Sequence, residues 1–152
     1  MFNKCVELKN VVTIGEGRVF GEVIKLRTLS FLGDVNKENG EIIAQDLEAR
    51  GRKLGGSILV VNRFRGSTVG VYVLYSLCKR GLAPKAILMV EPDTVVISGI
   101  ILCNIIGVIN ISRELYEIIP DKAKIMIECG NSLARLCIYE GSNANSENKA
   151  IL

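Results

Sequence analysis

The stretch Ser57-Ile58-Leu59-Val60-Val61-Asn62-Arg63-Phe64-Arg65-Gly66-Ser67-Thr68-Val69-Gly70 decides the fold. Residues 57–62 are an apolar run of strand length, and 69–80 is an apolar segment of helix length that stops at Gly81 with Pro84 behind it. Between them lies a polar loop, 65–70. A buried strand, a loop and a covering helix form the opening unit of a parallel sheet.

Working outward, the rhythm repeats. Residues 86–90 read as a second strand, and Glu91-Pro92-Asp93-Thr94 as a helix start capped by Asp93. A helix over 95–104 and a third strand over 107–111 follow. On the other side, 11–14 and 19–26 are short β-prone runs around Gly15-Glu16-Gly17. Ser30-Phe31-Leu32-Gly33-Asp34-Val35 then precedes a turn at Asn39-Gly40, and 45–53 reads as an exposed loop with at most a helical turn. Residues 124–128 and 133–139 suit a closing antiparallel pair around Gly130-Asn131. The fold class expected is α/β, with a central, mostly parallel sheet and β-rich flanks. Residues 1–140 form one domain in this reading, and 141–152 a polar tail too poor in apolar residues to order itself.

Composition narrows the function. The 152 residues carry a net charge of +3, with no Lys/Arg run longer than two and no interleaved aromatics, which argues against nucleic acid. The chain has no His, which removes imidazole bases and ligands together. Its five Cys are odd in number and lack a CxxC, so the expectation is a reducing compartment with most thiols serving as small buried hydrophobes. Residues 94–112 contain no charge, but Ser98, Asn104 and Asn110 interrupt them, and a buried helix plus strand is the simpler account than a membrane span. Without a signal-peptide pattern, the expected location is the cytoplasm.

The chemistry is expected at 62–70. This loop leaves the carboxyl end of a strand and enters a helix, where ligands of open α/β sheets gather. Arg65 can grip a carboxylate or phosphate through paired N–H groups, and Gly66 allows close backbone approach. Ser67 and Thr68 add hydroxyls at an N-terminus that attracts anions. The loop is not a Walker motif, because no Gly-Lys-Ser/Thr follows at the right spacing. The plainer reading makes Ser67 or Thr68 an ordinary helix cap. A catalytic Ser67 needs its alkoxide stabilised by Arg65, by the helix end or by a partner, so the site looks incomplete in one chain. Ser30–Val35 is the second candidate, a Ser-Phe-Leu-Gly-Asp segment after a strand that could be a ligand loop; its commoner role is a turn with Phe31 and Leu32 anchored in the core.

These residues carry a resemblance. Ser30-Phe31-Leu32-Gly33, Asn39-Gly40-Glu41-Ile42-Ile43, Gly55-Gly56-Ser57-Ile58-Leu59-Val60 and Arg65-Gly66-Ser67-Thr68-Val69-Gly70 occur in the order seen in the aconitase X swivel domain. Gly81-Leu82-Ala83-Pro84-Lys85-Ala86-Ile87 and Glu91-Pro92-Asp93 continue it. Phe64 stands where that family usually has Gly, and Val71 where Ser is common. Such a swivel domain, free-standing, resembles the small subunits of archaeal phosphomevalonate dehydratases. The resemblance implies a swivelling β/β/α fold and a hydro-lyase that acts only with a large subunit. Its substrate would be a phosphorylated hydroxy acid, mevalonate 5-phosphate, dehydrated to trans-anhydromevalonate 5-phosphate. It implies Ser67 as the proton acceptor, with Arg65, Gly66, Thr68, Ser30 and Gly33 around the substrate. It also implies an iron–sulfur cluster (4Fe-4S) held by the large subunit, with no metal bound by this chain. The alternatives are a related dehydratase, such as one acting on hydroxyproline, and a non-catalytic anion-binding module.

Overall fold

The computed structural model describes residues 2–66 and 68–139, so Ser67 and the 141–152 tail reading lie outside the described residues. The elements in chain order are β1 (Phe2–Leu8), β2 (Val12–Ile14), β3 (Gly17–Leu29), α1 (Phe31–Asp34), β4 (Ile58–Phe64) and α2 (Gly70–Lys79). Then come β5 (Ala86–Met89), α3 (Thr94–Cys103), β6 (Ile106–Ile109), α4 (Arg113–Ile118), β7 (Lys124–Gly130) and β8 (Leu133–Tyr139).

The strands join in the order β1-β8-β7-β3-β4-β5-β6-β2. Strands β3 to β6 are mutually parallel, and the four outer strands pair antiparallel, so the parallel centre with β-rich flanks is as expected. Strands β4, β5 and β6 follow one another in sequence and space, with α2 and α3 as their crossovers, and these two helices pack on each other. Alternation along β4 divides the core. Leu59 and Val61 face α2 and α3, while Ile58 and Val60 face the β7–β8 layer and α4. Every residue from Ile58 to Val61 is buried, as strands covered on both faces require.

Strand β3 joins the two sheet layers. Its Gly17–Glu22 half pairs antiparallel with β7, and its Val23–Leu29 half pairs parallel with β4. One strand thus passes from the antiparallel layer into the parallel one, giving the β/β/α arrangement. At the handover, a Cβ on Gly21 would lie 2.8 Å from the Gly56 carbonyl oxygen. Only glycine lets the two backbones meet there.

Several expectations need correcting. The sequence reading has no strand at β1 and no helix at α4. Tyr116 of α4 is buried against the second face, and Lys25 Nζ donates to the Glu117 and Ile119 carbonyls at 3.1 and 3.0 Å. Burial there lowers the Lys25 pKa and raises that of Tyr116. The cysteines are not mostly free core thiols. Disulfides join Cys5 to Cys137 and Cys78 to Cys103, leaving Cys129 as the buried free thiol. The first pair arises because Cys5 and Cys137 sit opposite each other in the β1–β8 ladder. The uncharged 94–112 stretch resolves into α3 and β6, and no described helix is long and apolar enough to cross a membrane.

Candidate anion-binding active site

The loop after β4 emerges at the carboxyl end of the parallel strands, where Arg65, Gly66 and Thr68 are all exposed. It is pinned from below by the turn that ends β3. Arg65 N–H donates to the Leu29 carbonyl at 3.0 Å, continuing the parallel ladder by one residue. Phe64 is buried and stacks on Phe31, with ring centroids 5.6 Å apart and planes 10° from parallel. Gly66 has φ +117°, and a Cβ there would fall 2.6 Å from Ser30 Oγ. Both observations give the same reason for a glycine.

The Ser30–Gly33 segment therefore joins the Arg65 loop, although 35 positions separate Ser30 from Arg65 in sequence. Ser30 caps the single turn of α1: its Oγ accepts from Gly33 N–H at 3.3 Å, and its carbonyl accepts from Asp34 N–H at 2.8 Å. Phe31 is anchored in the core as expected, but Leu32 is not; half of it is exposed, because a helical turn rather than an open loop directs it outward. Thr68 does not cap α2 either. The N-cap is Val69, whose side chain has no acceptor, so the N-cap residue gives the first turn no side-chain cap.

The sequence reading held Asp34 within the Ser30–Val35 candidate segment but gave it no role of its own. Its carboxylate is buried, accepts from Ser30 N–H at 2.8 Å and pairs with Arg65 Nη2 at 3.1 Å. Its only signal was an acid directly after Ser-Phe-Leu-Gly, and nothing in that pattern names Arg65 as its partner. The remaining guanidinium N–H groups of Arg65 have no hydrogen-bond partner among the described residues, and about half of the side chain is exposed. Arg65 can thus hold Asp34 with one edge and offer the other to an incoming anion.

Ser30, Phe64, Arg65, Gly66, Gly70 and Asp93 line a small cleft of ≈ 20 Å³. Asp93 contributes through its role as the α3 cap, accepting from Val96 N–H at 3.0 Å. The cleft falls short of an ordinary ligand pocket, about 300–1,000 Å³, so a second wall is needed to enclose a substrate. A roomier hollow over β7 and β8 is spanned by the Arg18–Glu128 pair at 2.7 Å and gathers no comparable set of groups.

The described residues do not fit a metal cluster. No group of three or more Cys, Asp or Glu is placed to hold one, and burial pushes the free Cys129 thiol up to about 11. Cluster ligands must be deprotonated thiolates, which that environment opposes.

Comparison with known proteins places this geometry. The aconitase X swivel domain profile matches residues 9–134. The phosphomevalonate dehydratase small subunit of Thermococcus sibiricus is 40% identical over 119 residues, spanning 74% of this chain and 92% of that one. The phosphomevalonate dehydratase small subunit of Pyrococcus abyssi is 45% identical over 103 residues, spanning 66% and 79%. A crystal structure of Thermococcus kodakaraensis aconitase X in its holo-form superposes with a TM-score of 0.77 at 34% identity, covering 89% of this chain and 99% of that one. The Arg65–Gly66 loop, the Ser30 turn and the two-layered sheet thus lie within a match that spans most of the chain: it belongs to the aconitase X swivel-domain family.

Proposed function

We propose that this chain is the small subunit of a phosphomevalonate dehydratase and works only together with a large subunit. The reaction is the loss of water from mevalonate 5-phosphate to give trans-anhydromevalonate 5-phosphate. The observation that carries the reading is the half-used Arg65 fork. It lies beside the N-terminus of α2, on a cleft too small to hold a substrate alone, in a chain whose relatives bear that enzyme's name.

In this reading Ser67 is the proton acceptor. It takes the proton from the carbon adjacent to the one bearing the hydroxyl. The C–H bond breaks to Ser67, the C–O bond breaks and the double bond forms; the departing hydroxide then takes the proton from Ser67, so the products are the unsaturated acid and water and the alkoxide is restored. A serine alkoxide is costly without nearby positive charge. Arg65 and the α2 N-terminus supply it in fixed positions, which is the efficient way to stabilise a charge. The free edge of Arg65, the Gly66 and Gly33 backbone, and the Ser30 and Thr68 hydroxyls orient the anionic substrate. The iron–sulfur cluster of the family (4Fe-4S) belongs to the large subunit, whose surface also closes the cleft and excludes water. A phosphate ester does not leak through a bilayer, so the assembly works in the compartment that makes its substrate, in this reading the cytoplasm.

The test is to purify the chain with its co-expressed large subunit and assay mevalonate 5-phosphate and hydroxyproline side by side. Turnover of the phosphorylated acid alone supports the proposal. Turnover of hydroxyproline alone moves the chain to another dehydratase. Phosphate binding by the lone chain, with no partner and no turnover, makes it an anion-binding module.

A further inference from the structure

We propose that Asp34 is a positioning residue: its carboxylate fixes one edge of the Arg65 guanidinium and thereby aims the other edge at the substrate anion. The part of this proposal that concerns substrate rests on the dehydratase reading above.

The Asp34 side chain is 8% exposed, among the buried Leu29, Phe31 and Val35. A carboxylate in such surroundings must be paired and hydrogen-bonded to remain there. Arg65 is the cation that pairs with it among the described residues, and Ser30 N–H is its second donor. The main chain of Asp34 is itself held from both sides, by its N–H to the Ser30 carbonyl and by Ile43 N–H to its own carbonyl, each at 2.8 Å. A fixed acceptor therefore meets a long side chain that is 48% exposed. Without that anchor, Arg65 would sample many rotamers and bring its free edge to the cleft only part of the time.

The carboxylate's bond from Ser30 N–H adds to a turn that two other bonds already close. Ser30 Oγ caps Gly33 N–H, and the Asp34 N–H bond completes the single helical turn.

A double-mutant cycle in the assembled enzyme separates positioning from a structural role. With Arg65 present, Asp34→Ala should raise KM for mevalonate 5-phosphate by about tenfold with a smaller loss of kcat. Asp34→Asn keeps an acceptor for Ser30 N–H and Arg65, and should recover most of that loss. In an Arg65→Gln background, Asp34→Ala should change KM by less than about twofold. Equal factors in both backgrounds would overturn the proposal. A second measurement does not depend on the reaction. With this chain ¹⁵N-arginine-labelled in the complex, Asp34→Asn should leave the Arg65 Nη2–H signal close to wild type, whereas the signal should exchange with water faster in Asp34→Ala, or in the apolar Asp34→Leu if the alanine variant fails to fold. A signal unchanged in the alanine or leucine variant refutes the positioning role. If the wild-type complex does not dehydrate mevalonate 5-phosphate, the dehydratase reading fails, and the labelling result still decides the role of Asp34.

Discussion

Gly66 shows how much one backbone position contributes. At φ +117°, with Ser30 Oγ in the space a Cβ would fill, it accepts no side chain without movement. Gly66→Ala should cost about 1–3 kcal/mol in chemical denaturation, and should reduce activity as well because the Arg65 loop must lift off Ser30. Unchanged stability would mean that the loop is not held as described. Cys129 permits a test by pH. Burial keeps its thiol protonated to about 11, against an ordinary value of 9.0. Between those limits the unfolded chain has released the proton and the native one has not, so stability falls as pH rises. Cys129→Ala should flatten that decline relative to wild type between pH 9 and 11, and equal slopes would contradict the assignment. At this scale the sequence showed Arg65, Gly66, Ser30 and Gly33, because glycine, hydroxyl and guanidinium announce anion chemistry by type. It did not show the role of Asp34, since an acid in a turn is usually a solvated or capping group and its partner is fixed only by the β3–β4 pairing. Nor did it show the role of Phe64, which reads as a family departure and proves to be half of a stacked pair with Phe31.

Among elements, those buried on both faces were legible. The β4, β5 and β6 strands and their two crossover helices announce themselves as apolar runs with stop signals, and their ends fall within a residue or two of expectation. The misses have a common cause. β1 breaks the apolar–polar alternation of a strand with the like pairs Asn3-Lys4 and Cys5-Val6, and α4 is only six residues long, so neither carries a strong periodic signal. The run at 19–26 was legible as a strand, but not as one 13-residue strand serving two layers. That dual pairing depends on Gly21 meeting the Gly56 backbone. Gly21→Ala should destabilise the protein by about 1–3 kcal/mol, because backbone cannot yield as a side-chain tip can. A thermal unfolding midpoint equal to wild type would show that the layers tolerate separation.

At the level of the whole molecule, contacts between distant segments are what sequence conceals most. Cys5 and Cys137 lie 132 residues apart and are joined only because β1 returns to pair with β8. The denatured, unreduced chain should therefore titrate one thiol, and the reduced chain five; five without reductant would contradict both pairings. The two-layered sheet otherwise serves one end of the molecule, presenting Arg65, Gly66 and Thr68 on a rim too shallow to enclose a substrate alone. The account as a whole depends on Ser67 delivering its hydroxyl from that rim into a site completed by another chain. The direct measurement is water loss from mevalonate 5-phosphate by the assembled complex carrying Ser67→Ala, alongside wild type at equal complex mass and cluster content. The account predicts an intact complex with turnover reduced by at least about a thousandfold. Turnover within a few-fold of wild type would contradict it.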